Sequence, residues 1–430
     1  MRYLGGFFKY SWEITSGYTE AMSTRGRPSE LVWYCATASL LLAVVCAVEV
    51  RLRRWQGILP ATVIALALFL GFKHAFVRQD RGHVWPEMVS LTSLVLLLSP
   101  FAWLRLKQGR QKWLVVAACI VAFLNCADWP GLPEAKREMG PSILGYLGRA
   151  PRLAVESLSG FVQIVLHPSD IDRVHAASMA QIRGEWPLPA MAGTVDMYPP
   201  NQAVIFAYGL SYRPRPVFQS CSAYTAALEN LNRRYVAGPG SPENILFGIA
   251  PIDWRFPALE DGLSWPELLT RYAPAGSTPQ FLILKKRRVP LEYALEPLSE
   301  YQVGWDQTVT LQLPSDDPIW AEIDVRPTLE GRLMTIVYKP DLMVLALQTK
   351  DGHIHVCHLI PGMARCGFLL SPVIRTRQQF GLLYSDAGLG QFQGQTVAKI
   401  MLIGVGKHRH PQGYEDQFTL RLYRLKYPRQ

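Results

Sequence analysis

Six side chains that carry or can carry charge stand within eleven residues of the first third of this 430-residue chain: Lys73, His74, Arg78, Asp80, Arg81 and His83. Their types suit phosphate chemistry. Guanidinium groups grip a phosphate bidentately, an ammonium neutralises it as a point charge, and His or Asp can accept a proton near neutral pH. Lys73, Arg78 and Arg81 are therefore the expected phosphate ligands, and His83, Asp80 and His74 the expected catalytic groups. The flanks are greasy, Ile58 to Phe72 on one side and Met88 to Leu104 on the other. Desolvating such groups costs several kcal/mol each unless they are paired or face water, so a cluster at a hydrocarbon boundary marks a functional site by default. The competing reading is an interfacial loop of snorkelling side chains. That reading needs Lys and Arg, not two His and an Asp in so short a stretch.

Two further loops carry groups that can bind or transfer protons. Arg213 and Arg215 sit in a Pro-stiffened loop that continues through Gln219 into Ser220, Ser222 and Thr225, an arrangement able to hold an anion or sugar phosphate at a helix start. Helix caps and a surface turn explain the same Ser and Thr residues equally well. In the second loop Asp253, Arg255, Glu260 and Asp261 offer an acid, a base or ligands for a hard cation, with capping and ion pairing as the alternative. Arg213, Arg215, Gln219, Asp253, Arg255 and Asp261 are carried forward as substrate-binding candidates.

Histidines 353, 355 and 358 place two imidazoles on one face of a strand, one ligand short of a metal site unless the strand bulges at His358. No metal or cofactor is expected. Cys357 and Cys366 flank a turn and could face each other across a hairpin, a reasonable disulfide if this part is exported. There is no CxxC, P-loop, GxSxG or HExxH, which removes the usual soluble hydrolase and nucleotide-binding signatures.

Four apolar runs must position the first cluster: Leu31 to Val48, Ile58 to Phe72, Met88 to Leu104 and Trp113 to Ala127. Each is a little short of the ~20 residues of a spanning helix, but flanking Trp, Tyr and Arg can sit at the interfaces. The expectation is four transmembrane helices over residues 31–127. Arg51, Arg53 and Arg54 follow the first run, and Arg105, Lys107, Arg110 and Lys112 follow the third, so both loops should be cytoplasmic. Alternation then puts residues 1–30, the 73–83 cluster and everything after residue 127 on the extracytoplasmic side. The net charge of +10 is mostly this topology: residues 1–127 carry a surplus of 8 positive charges and the remainder a surplus of 2. No basic stripe remains to track phosphates, so nucleic acid is not an expected partner.

After a Pro/Gly-broken connector (128–168), residues 169–300 alternate β-rich runs (203–206, 244–249, 280–284) with helical stretches (222–235, 265–272), the pattern of a small α/β domain. From residue 301 to 430 the pattern changes to about eight short strand-like runs, among them 319–325, 333–338, 343–347, 354–359 and 397–405, which reads as a β-sandwich or jelly roll.

The basic and acidic stretch from Lys73 to His83, set beside an outward domain, is similar in arrangement to polytopic bacterial envelope proteins of the GT-C glycosyltransferase and O-antigen ligase types. The segments Gly17-Tyr18-Thr19-Glu20-Ala21-Met22 and Pro214-Arg215-Pro216-Val217-Phe218-Gln219-Ser220 also resemble stretches of large uncharacterised bacterial membrane proteins. The resemblance implies a multi-pass protein of the inner membrane, and further helices upstream. It also implies a part in cell-surface glycan assembly, with a lipid-linked sugar or polysaccharide as partner and room for a membrane partner subunit. In that reading Arg78 and Arg81 bind the donor phosphate, His83 or Asp80 takes the acceptor proton, and the sandwich holds the glycan. The alternative, motivated by the lack of a complete catalytic signature, is a non-enzymatic membrane-anchored protein that binds a glycan or a partner.

Overall fold

The computed structural model describes residues 4–52, 58–106, 109–126, 143–199, 201–313, 317–405 and 409–429. It divides the chain into two compact units, residues 23–172 and residues 1–22 joined with 173–430. The chain opens with α1 (Leu4–Met22), which belongs to the larger unit. The segment expected to be extracytoplasmic, 1–30, thus contains α1 and, from Pro28, the start of the next helix.

The smaller unit holds α2 (Pro28–Leu52), α3 (Ile58–Val77), α4 (Arg81–Arg105), α5 (Gly109–Cys126) and α6 (Ile143–Leu166). Among the described residues three stretches are long and apolar enough to cross a membrane: Pro28–Glu49, Leu59–Val77 and Gly82–Arg105. In α5 the first turn is taken by Arg110, Gln111 and Lys112, so its apolar stretch begins only at Trp113, and Ala127, the end of the expected fourth span, lies outside the described residues. Helix α2 packs against α3, α4 and α5 through a stripe of buried Tyr34, Leu41, Val44 and Val48. Polar contacts pin these helices to one another. The Tyr34 hydroxyl donates to the Leu68 carbonyl (2.8 Å), Thr92 Oγ1 donates to the Ala122 carbonyl (3.2 Å), and Ser99 Oγ meets Cys119 Sγ at 3.1 Å. The outer surface is apolar, with Leu97 and Leu104 76% and 82% exposed.

Helix α6 lies inside the stretch expected to be a bare connector. Val155, Leu158, Phe161, Val162, Val165 and Leu166 are exposed along one broad side. Arg152 and Glu156, joined at 2.7 Å, fall with Ser159 and Gln163 on the other. The mixed Gly, Pro and Ser content hides this helix from a linear hydropathy reading; only its rotation-averaged pattern reveals it.

Helix α7 (Pro168–Glu185), whose first five residues belong to the smaller unit, leads in the larger unit to β1 (Thr194–Tyr198), α8 (Ala203–Ala207) and β2 (Ser211–Tyr212). These are followed by α9 (Ala226–Ala237), β3 (Asn244–Phe247), α10 (Ser264–Arg271), β4 (Tyr272–Ser277) and β5 (Leu282–Lys286). The sheet order is β2-β1-β3-β5-β4, with β1 parallel to β2 and β3 and the rest antiparallel. Val195, Met197, Leu246, Phe281 and Ile283 face α8 and Trp186, while Tyr198, Ile245, Phe247 and Leu284 face α9 and α10. The sheet is mixed: two of its four strand pairings are parallel and two antiparallel, where the sequence suggested parallel pairing. The run 203–206, expected as a strand, is α8: it bridges β1 and β2, and its Val204 and Ile205 are buried on the sheet, so packing overrides β-propensity.

The remainder comprises β6 (Ala294–Gly304), β7 (Val309–Thr310), β8 (Ile319–Asp324), α11 (Leu329–Val337), β9 (Leu342–Thr349), β10 (Ile354–Leu359), α12 (Pro361–Cys366), β11 (Phe368–Ser371), β12 (Val397–Val405) and β13 (Gln417–Lys426). Two four-stranded antiparallel sheets form, β10-β9-β12-β7 and β11-β8-β13-β6. Leu345, Leu347 and Leu402 of the first share a core with Ala321, Ile323, Leu420 and Leu422 of the second. That core runs on into the α/β layer, where Phe247 stacks on Phe380 at 4.2 Å and Phe256 meets Phe368 at 5.4 Å. The border expected at residue 300 falls inside β6. The run 333–338, expected as a strand, is the end of α11: Thr328 caps the helix by accepting the Gly331 N–H at 3.1 Å, which commits the segment before its β-branched residues are reached.

Helix α1 packs on the larger unit although some 150 residues separate it from the rest. The Tyr224 hydroxyl donates to the Ile14 carbonyl (2.7 Å), and Thr225 Oγ1 donates to Glu13 (2.9 Å). The approach requires Gly17, because a Cβ there would stand 2.6 Å from the Tyr224 ring. The segment Gly17 to Met22, singled out in the sequence, is thus a docking surface within this unit.

Candidate functional site

The three expected catalytic residues come together. Asp80 caps α4, its Oδ1 accepting the His83 N–H at 3.2 Å, and the same oxygen lies 2.8 Å from His83 Nδ1. The Arg78 Nε donates to the other oxygen at 2.9 Å, and the His74 and His83 rings lie 5.2 Å apart. Burial acts to raise the Asp80 pKa, but the hydrogen bond from His83 and the charges of His83 and Arg78 hold it below the usual carboxylate range. Lys73 is half-buried near the end of α3. The Arg81 side chain lies outside the described residues.

Further neighbours of this cluster were given no part in the site by the sequence. Gln79 donates to Glu30 (2.9 Å) and to the Arg27 carbonyl (2.9 Å), closing the loop from below. One turn past His83 on α4, the Glu87 carboxylate lies 3.4 Å from the Tyr34 hydroxyl and against Gly71 of α3, where any side chain would overlap it. The spacing Asp80, His83, Glu87 sets three titratable groups on one helix face, a signal that was available once α4 was known to start at Arg81.

The candidates in the loops of the larger unit meet a different fate. Arg215 is buried, and its guanidinium reaches Asp196 (3.0 Å), the Met197 and Phe218 carbonyls (both 2.7 Å), Ser220 (2.8 Å) and Asp261 (3.3 Å). It also stacks 3.4 Å over the Tyr198 ring. Asp261 further accepts from Ser264 (2.9 Å) and Asn232 (3.1 Å). Burial raises the Asp261 pKa, opposed by Arg215 and these donors. Losing one member would strand a buried charge, at a cost of about 3–5 kcal/mol. Arg255 is buried too: it donates to the Ala21 carbonyl (2.6 Å) and the Cys221 carbonyl (2.8 Å), with Glu260 at 3.6 Å. Both arginines therefore tie this unit together, which their Pro-rich and acidic sequence contexts do not reveal.

Arg213 and Gln219 are exposed; the Arg213 carbonyl accepts from Tyr235 (3.0 Å), and Gln219 accepts from Ser222 (3.4 Å). Asp253, half-buried, and Trp254 both have φ of 49° and Asp261 has φ of 57°, a left-handed cluster costing on the order of 1–3 kcal/mol per residue. Trp254 stacks on the buried His358 at 5.4 Å.

Cys357 and Cys366 are free thiols. The expected hairpin between them does not form, because β10 pairs with β9 while β11, which follows Cys366, pairs with β8 in the other sheet. His355 meets Arg375 at 3.2 Å and His358 turns into the core, so the histidine trio does not converge. Among the described residues no three His, Cys, Asp or Glu side chains gather as a metal site.

An open cleft of about 500 Å³ lies across β6, β13 and β8, lined by Gln302, Asp324, Arg326, Glu415, Thr419 and Arg421 among others. A second hollow of about 680 Å³ shares Asp324, Arg326 and Glu415 and adds Arg332 and Arg365. Asp324 accepts from Arg365 (2.7 Å) and Arg326 (3.0 Å); burial acts to raise its pKa, but the two arginines bring it below the usual range. Period-two alternation in β8 and β13 places these groups outward, yet their sequence separation concealed that they adjoin. No protein-family model matches the chain, and neither a curated protein nor a solved structure is detectably similar to it.

Proposed function

We propose that this chain is a multi-pass protein of the bacterial inner membrane that takes part in cell-surface glycan assembly. It acts as a glycosyltransferase-like enzyme, or part of one, on a lipid-linked phosphate donor. In this reading α2 to α5 all cross the bilayer, and the larger unit, with its sandwich, is extracytoplasmic. The observation that carries it is the 2.8 Å contact between Asp80 and His83 at the junction of two candidate spans, beside Arg78. A His that donates Nδ1–H to a carboxylate keeps the Nε2 lone pair free to take a proton. An acceptor hydroxyl would pass its proton to His83 Nε2 while its oxygen bonds the sugar carbon. The bond from that carbon to the donor phosphate would break, and the phosphate would leave toward Arg78 and Lys73.

Asp80→Asn is the diagnostic change, because Asn caps a helix as well as Asp does but cannot hold the imidazole in the same way. His83→Ala and Asp80→Asn should each lower sugar transfer to the cell surface by about 10²-fold or more, with the protein still present in the membrane. Full transfer by Asp80→Asn would reduce Asp80 to a cap.

The inward-facing Arg215, Arg255 and Asp261 and the open cleft of the sandwich favour a second reading, a membrane-anchored glycan-binding protein without catalysis. Under it, purified chain would retain polysaccharide without turning over a lipid-linked sugar, and Asp324→Asn with Arg421→Ala would abolish retention.

A further inference from the structure

Helix α11 carries an apolar stripe that nothing in its own unit covers. Leu329, Leu333, Ile336 and Val337 are 76%, 56%, 64% and 60% exposed, and their spacing sets them on one side of the helix. The opposite side is fixed: Gly331 lies against the Gly413 backbone, with Met334 beside it. The stripe is therefore rigid and not a frayed end. Around it stand Arg332 on the helix itself, Arg326 and Arg365 in the neighbouring hollow and Lys339 just beyond the helix, against Asp324, Glu330 and Glu415. Arg326 and Arg365 pair with Asp324 but remain 59% and 50% exposed. Among the described residues Arg332 has no ion-pair partner.

The position of the stripe selects the partner. Residue 413, the floor of α11, adjoins Tyr414, whose hydroxyl donates to Glu20 of α1 at 3.4 Å. Two residues later α1 ends at Met22, and only residues 23–27 separate it from α2, a candidate span. Helix α11 thus packs on the part of the unit where α1 ends and the chain leaves toward α2, with its stripe on the helix side away from Gly413. Large apolar residues on one helix face, bordered by arginines with free donors, suit the boundary between acyl chains and phosphate head groups. We infer that α11 docks the larger unit onto the bilayer surface, its apolar stripe entering the interface and Arg332, Arg326 and Arg365 meeting lipid phosphates. This rests on the spans alone and not on any glycan chemistry.

The test uses the full-length chain in vesicles of phosphatidylcholine with and without phosphatidylglycerol. A photo-crosslinking residue is placed at Leu333 or Ile336, and at Val289, an apolar residue 76% exposed in a loop, as control. Lipid adducts should form at Leu333 and Ile336 well above Val289 and increase with the anionic lipid. Arg332→Glu should lower them about fivefold or more, since each basic group near such a surface strengthens binding by about that factor. Thermal melting confirms that each variant is folded. Adducts to protein instead of lipid, or lipid adducts no greater than at Val289, would overturn the inference.

Discussion

Glu260 and His358 both adjoin Arg255, and burial displaces them in opposite senses. Burial pushes Glu260 up to about 7, with Arg255 and the Ile252 N–H opposing. Burial and the charge of Arg255 bring His358 down to about 4. The folded chain holds the Glu260 proton more tightly than the unfolded chain does. Its contribution is therefore fully present below the ordinary value near 4.5 and is lost as pH rises through about 7. His358 resists protonation in the fold, so its contribution is present above the ordinary value near 6.5 and is lost as pH falls through about 4. We expect Glu260→Gln to gain on the parent as pH is raised across this window, and His358→Gln to gain as it is lowered. Each swing should be on the order of 3 kcal/mol, read as several degrees in melting temperature. Parallel melting curves for parent and variants across that range would contradict the assignment.

At the scale of elements, α1 is held by close approach more than by its own sequence. Gly17→Ala should force α1 off the Tyr224 ring and expose the helix, since a Cβ would stand 2.6 Å from that ring. Limited proteolysis within residues 4–22 would then speed up, while far-ultraviolet dichroism stays nearly unchanged; unaltered cleavage would show that the helix accommodates the methyl group. The helices with long apolar runs and most strands of the two antiparallel sheets were legible because hydrophobic periodicity reports local burial. Helices α8 and α11 were not: both are short and rich in β-branched residues, and tertiary packing or a cap decided them. Strand β1 was missed because Asp196 and Tyr198 interrupt its apolar pattern, and both serve the buried Arg215 network. At the candidate site the cluster 73–83 was visible as charge in an expensive place, and its mutual geometry followed from the α4 cap at Asp80. Glu87 and Tyr34 were not visible, since their meeting depends on how α2 packs on α3 and α4.

For the whole molecule, the proposed chemistry requires residues 173–430 to lie outside the cytoplasm. A reporter fused after Gln430 should be active only outside the cytoplasm. Activity of a cytoplasmic reporter there would reverse the orientation and remove the lipid-linked donor from reach of the 73–83 cluster.

The packing of α1 against residues 173–430 also imposes a rule of parity. Parts of one folded body lie on one side of a bilayer, so the intervening residues 23–172 must cross it an even number of times or not at all. The three candidate spans found among the described residues cannot, by themselves, all be crossings that meet that condition. Either one of them stays within a single face, or a fourth crossing is made by α5 or α6. Cysteine accessibility at Lys112, in the first turn of α5, and at Glu156, within α6, tests a crossing by α5, and the proposed arrangement requires the two positions to report from opposite sides.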